Sequence, residues 1–133
     1  MQKIVFGLFL LMLSPALLAA EDDAAGVSPG YIPLGKPMIL NLATQDNRLT
    51  FLQVTGDVLI KDESNKDEVE IHVPAIRHEL ILLLSEQDAD DMKSPIKREE
   101  VRKRATQKVK ARIEELVGSD EVAEVLFSTF LVQ

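Results

Sequence analysis

Twelve residues constrain this chain more than any others: Pro74-Ala75-Ile76-Arg77-His78-Glu79-Leu80-Ile81-Leu82-Leu83-Leu84-Ser85. Pro74 suits a first helical turn, where its missing N–H is not needed. Val73, standing before a proline, favours an extended backbone. Ile76, Leu80, Leu83 and Leu84 recur at helical spacing, with Arg77, His78 and Glu79 grouped near the start. Five apolar residues follow Glu79 without interruption, so the last turns are apolar all round. Such a segment is too short to span a bilayer and reads as a buried helix that other elements must cover. Hydrophobic residues make up 46% of the 133, enough to build that cover and to exclude wholesale disorder.

Ahead of that helix, Met1 to Ala20 reads as a secretory signal. Lys3 supplies the positive start, Ile4 to Leu13 the apolar run, and Ala19-Ala20 the small residues before Glu21-Asp22-Asp23. The rival reading is an uncleaved anchor, against which Pro15 counts. Either one places the remainder outside the cytoplasm, in a periplasm, with inner-membrane association under the second. Residues 21–36 are acidic and then rich in Gly, Pro and Ser, a flexible linker whose Tyr31, Ile32 and Leu34 would dock its end. The folded unit is expected over 37–133.

Within it, Pro37 to Leu42 and Arg48 to Lys61 alternate as strands. In the second, Leu52, Val54, Val58 and Ile60 face one way and Gln53, Thr55 and Asp57 the other. Gly56 in its middle suggests a bulge or a close neighbour. Residues 62–67 read as a polar hairpin loop, and the alternation of Val69, Ile71 and Val73 with Glu68, Glu70 and His72 predicts a third strand. After the leucine-rich helix and an acidic connection over 86–93, Ser94-Pro95 opens a long helix that Gly118 closes. Glu121 to Gln133 reads as a last strand, apolar on both faces and therefore central in its sheet. The prediction is an α+β domain in the order β-β-β-α-α-β, two helices packed on a mostly antiparallel sheet.

Chemistry-bearing patterns are sparse. There are no cysteines for disulfides or thiolate metal sites. His72 and His78, the only histidines, lie on different predicted elements with no third ligand marked, so no metal is expected. No serine sits in a nucleophile elbow, and no glycine-rich phosphate loop appears. Neither catalysis, cofactor nor small-molecule substrate is therefore predicted. The strongest asymmetry is the long helix, where Lys97 to Glu115 holds eight basic and four acidic residues. A net charge of -7 and the lack of interleaved aromatics exclude nucleic acid. Arg98, Arg102, Lys108 and Arg112 remain as a solvated face or as a surface for the acidic half of a second copy, for anionic lipid or for an acidic partner. Glu99 with Lys103 and Glu100 with Arg104 offset part of the charge.

Pro37-Met38-Ile39-Leu40-Asn41-Leu42, then Arg48 to Thr55, the Pro-x-Ile-Arg start and Leu-Leu-Leu-Ser end of the buried helix, and the terminal Val125 to Gln133 form an ordered set, and that set bears a resemblance to the flagellar basal body-associated FliL family. The resemblance implies a periplasmic domain similar to the stomatin/prohibitin type, without enzymatic activity. It also implies a homo-oligomer beside the motor stator and basal-body proteins, supporting swimming, swarming and chemotaxis. His78 stands where the family often has aspartate, Pro95 where it often has glycine, and Leu126 and Ser128 where Tyr and Thr are common. These mark a divergent, FliL-like branch. The residues alone fit a second reading, a soluble periplasmic protein-binding module without a motility role.

Overall fold

The computed structural model describes residues 26–133; the expected signal over 1–20 lies outside them. Four strands and three α-helices follow in the order β1 (Gly30–Pro33), β2 (Met38–Leu42), β3 (Thr50–Ile60), α1 (Lys66–Glu70), α2 (Val73–Ser85), α3 (Pro95–Val117) and β4 (Val122–Val132). All strand pairs are antiparallel. The α+β class is therefore as expected, with three helices in place of two.

The central strand is β3, not the last strand. One of its edges pairs with β2 over Thr50–Val54 and with β1 over Asp57–Ile60, so β1 and β2 lie end to end. Its other edge pairs with β4. Gly30–Pro33, read in the sequence as linker, thus supplies a strand that buries Ile32, and Leu34 follows it into the core. The proline and glycine content of that stretch obscured four residues that alternate inward and outward.

The predicted third strand is helical. Residues 66–70 form α1, and Ile71, which strand alternation would have turned inward, is 72% exposed. The apolar series that decides the fold is Val69, Val73, Ile76, Leu80 and Leu83, spaced four and three apart: one continuous helical stripe. Pro74 explains the break between α1 and α2, because it has no N–H to offer the Glu70 carbonyl four residues back. Val73 accordingly starts α2 rather than extending. The expected hairpin loop is a capped turn: the Asp62 carboxylate accepts from the Ser64 N–H at 2.9 Å and from its hydroxyl at 2.7 Å. Asp67 and Glu68 then favour the positive end of α1.

β4 is apolar on both faces for a reason other than central position. Its pairing slips twice, between Thr55 and Gly56 and between Leu59 and Ile60, so the strand carries two bulges. Each resets the alternation. Val122, Val125, Phe127, Phe130 and Val132 consequently sit opposite the inward-facing residues of β3, which strict alternation from Glu121 would not have placed on one side. A Cβ on Gly56 would lie 2.3 Å from the Leu126 carbonyl oxygen, the close approach that its position in the sequence signalled.

The core lies between this sheet face and α2 and α3. Leu52, Val54, Val58 and Ile60 of β3 meet Ile76, Leu80 and Leu84 of α2 and Val101, Ala105, Val109 and Ile113 of α3, all buried. Each large side chain contributes about 1.5–3 kcal/mol by leaving water. The Ser94 hydroxyl accepts from the Lys97 N–H, and Gly118 ends α3 with φ 89°, a left-handed cap. The acidic connection docks as well: the Ala89 N–H donates to the Ala43 carbonyl at 3.1 Å, and Ala89 and Met92 are buried.

Candidate interaction surface

Long helix α3 presents the singled-out cations in two places, not one. Arg98 and Arg102 flank a shallow groove of about 280 Å³ that Phe127 and Phe130 of β4 line from the other side. Lys108 and Arg112 lie about a separate hollow beside Glu79 of α2. The sequence pattern put all four on one helix, but the packing of α2 and β4 on either side divides them.

Their electrostatics differ too. Arg102 is the most engaged. It donates to Glu99 at 2.7 and 2.8 Å, to Glu124 at 2.8 Å and to the Val125 carbonyl at 3.1 Å. The hydrogen bond it donates to Glu99 leads in raising its pKa, with Glu124 adding to the effect, and Glu99 is held below its usual range by the same contact. Arg112 donates to Glu115 at 2.9 Å and stands 3.8 Å from Glu79. Lys108 is exposed and has no ion pair among the described residues. Arg98 is also without an ion pair among them. Its Nε donates to the Met92 carbonyl at 2.6 Å, and its guanidinium lies 5.1 Å from the centre of the Phe130 ring. Arg104, read as a partner of Glu100, instead reaches the buried Gln87 at 2.9 Å.

Among the described residues no helix covers the opposite face of the sheet, and sequence reading passed over what it displays. Ile39 (67% exposed), Phe51 and Leu131 stand there, with Tyr31 towards the β1 end. Ile39, Gln53 and Leu131 form one row across three strands. Thr55 and Ser128 exchange a hydrogen bond of 3.0 Å nearby. The available signal was the parity of Phe51, which shares the side of Gln53 and Thr55 yet is apolar. Asp57 and Glu124 are the charges set among these outward positions, and Glu124 is paired with Arg102 at 2.8 Å, so the face carries little unpaired charge for an acidic chain.

His72 precedes α2 and His78 is exposed on its first turns. Among the described residues, no three His, Asp or Glu side chains are grouped so as to hold a metal. The carboxyls displaced below their ordinary range, Asp46, Asp62, Glu99 and Asp120, each owe it first to a hydrogen bond from a neighbouring arginine, serine or lysine. These are structural contacts, and what the arrangement offers chemically is surface: a cationic, aromatic groove, a neutral apolar face and two sheet edges. Among the described residues no helix is long and apolar enough to cross a membrane.

No curated protein matches the chain. A family model for the flagellar basal body-associated protein FliL matches residues 31–133, from the second residue of β1 to the last residue of the sequence, and the chain accordingly belongs to the FliL family.

Proposed function

We propose that this chain is a non-enzymatic accessory of the flagellar motor that oligomerises near the stator and supports rotation, and with it swimming, swarming and chemotaxis. The observation that carries the reading is the family match over residues 31–133. Residues 1–20 serve as the export signal or a short inner-membrane anchor, and the following stretch leads to a periplasmic domain of stomatin/prohibitin type. The neutral face bearing Ile39, Phe51 and Leu131 supports self-association. Copies that each carry -7 repel one another, and contact through a nearly uncharged apolar face avoids most of that repulsion. Its partners are then a second copy and the stator and basal-body proteins.

Deletion of the gene tests the motor role. Reduced swimming or swarming with lowered stator occupancy is the expected result. Unchanged motility and occupancy, together with periplasmic pull-downs that recover only non-motor proteins, would overturn it in favour of a general binding module.

A further inference from the structure

The outer edge of β4 is half closed and half open. Among the described residues β4 pairs with β3 alone, which leaves its other edge without a strand. At Val125 that edge is plugged from α3. The Val125 N–H donates to the Thr106 hydroxyl at 3.0 Å, and Arg102 donates to the Val125 carbonyl at 3.1 Å. Side-chain plugs of this kind are how folded proteins stop a stray strand from pairing. Among the described residues no such plug stands further along the strand. Phe51 and Gln133 exchange both backbone hydrogen bonds, at 2.7 and 2.8 Å. Antiparallel alternation from that pair directs Leu131 and Thr129 towards β3 and turns the N–H and C=O groups of Phe130 and Val132 outward.

Directly beside this open stretch is the groove between α3 and β4, with Phe127 and Phe130 on one wall and Arg98 on the other. The two rings tilt together at 5.6 Å. Arg98 uses its Nε on the Met92 carbonyl, and no carboxylate in the described residues meets its terminal nitrogens. Glu99, next in sequence, is committed to Arg102. A strand added along Phe130 and Val132 would alternate its side chains between the open sheet face and the groove. Those on the groove side would meet aromatic rings, the Glu99–Arg102 ion pair and one unneutralised guanidinium, that of Arg98.

We propose that the β4 edge from Phe127 to Val132 is a docking site for an extended polypeptide segment that carries a carboxylate side chain flanked at alternate positions by apolar ones. The backbone of Phe130 and Val132 pairs with the segment, Phe127 and Phe130 take its apolar side chains, and Arg98 takes the carboxylate. The proposal stands apart from the motor reading, since it depends only on the edge, the groove and their charge.

Fluorescence anisotropy with the full chain tests it, using the capped probe peptide Thr-Val-Thr-Glu-Thr-Val and its counterpart with lysine in place of glutamate. The glutamate peptide should bind at least about tenfold more tightly, the size expected of one charge-assisted hydrogen-bonded contact. It should also slow amide exchange within 127–132. Arg98→Gln should abolish the preference between the two peptides, and Arg98→Lys, which keeps the charge should Arg98→Gln fail to fold, should retain part of it. Equal binding of the two peptides, absence of binding, protection confined to residues 38–42, or a preference that survives Arg98→Gln would each overturn the proposal.

Discussion

At the scale of single residues, Gly56 is the most exacting position in the sheet. Its missing side chain admits the Leu126 carbonyl at the β4 bulge. Gly56→Ala forces backbone, not a flexible side-chain end, to move, and should lower stability by about 1–3 kcal/mol in urea titration. Leu80 makes the complementary case. It is fully buried beneath the sheet, and Leu80→Ala should cost about 2–5 kcal/mol by the same measurement. Asp120 gives a pH signature. Its carboxylate accepts from Lys61 at 2.5 Å and lies 3.7 Å from Lys110, and the Lys61 contact leads in lowering its pKa. A carboxyl whose folded pKa is depressed stabilises above its unfolded value and loses that contribution as pH falls through the folded one. Melting midpoints should therefore fall below about pH 4, and Asp120→Asn should flatten part of that fall.

Between elements, the connection from β1 to β2 is held by one side chain. Arg77 of α2 donates to the Leu34 carbonyl at 2.6 Å and the Lys36 carbonyl at 2.7 Å, while the Leu34 N–H donates to Gly56 at 3.0 Å. Arg77→Met removes both charged donors. It should cost about 2 kcal/mol and speed amide exchange at Leu34 well before the core amides respond. Elements also set what the sequence could reveal. α2 was legible because its proline and helical spacing agree, and α3 because a serine cap, a proline and a closing glycine agree with its spacing. β3 was legible because its alternation is clean. Val69, Ile71 and Val73 misled because three residues two apart imitate a strand, while the longer stripe from Val69 to Leu83 is helical. β4 misled because bulges break the alternation that places a strand in its sheet. Of the candidate surface, Arg98 and Arg102 were readable as cations. The Glu99 partner of Arg102 is local to the helix, three residues back, but its further contacts to Glu124 and Val125, and the separation of both arginines from Lys108 and Arg112 beside Glu79, come only from tertiary packing.

For the whole molecule, family membership gives basal-body association, and the self-association proposed above can be tested at the sheet's open face. If the neutral face joins them, Phe51→Glu combined with Leu131→Glu should weaken self-association at least tenfold in sedimentation velocity while leaving the melting midpoint nearly unchanged, because both side chains are already partly in water. Dissociation by charge substitutions on Lys108 and Arg112 instead would relocate the contact to α3.

The end-to-end placement of β1 and β2 also has a mechanical side. Tension on the chain ahead of Ser28 enters the fold through the Ser28 carbonyl, which accepts from the Glu63 N–H at 2.7 Å, and then through β1. Pulled along its own axis, that short strand strains its rungs to Asp57–Ile60 together instead of peeling them one at a time. Behind it the Arg77 guanidinium grips the following turn, so the domain is braced where a tether would tug.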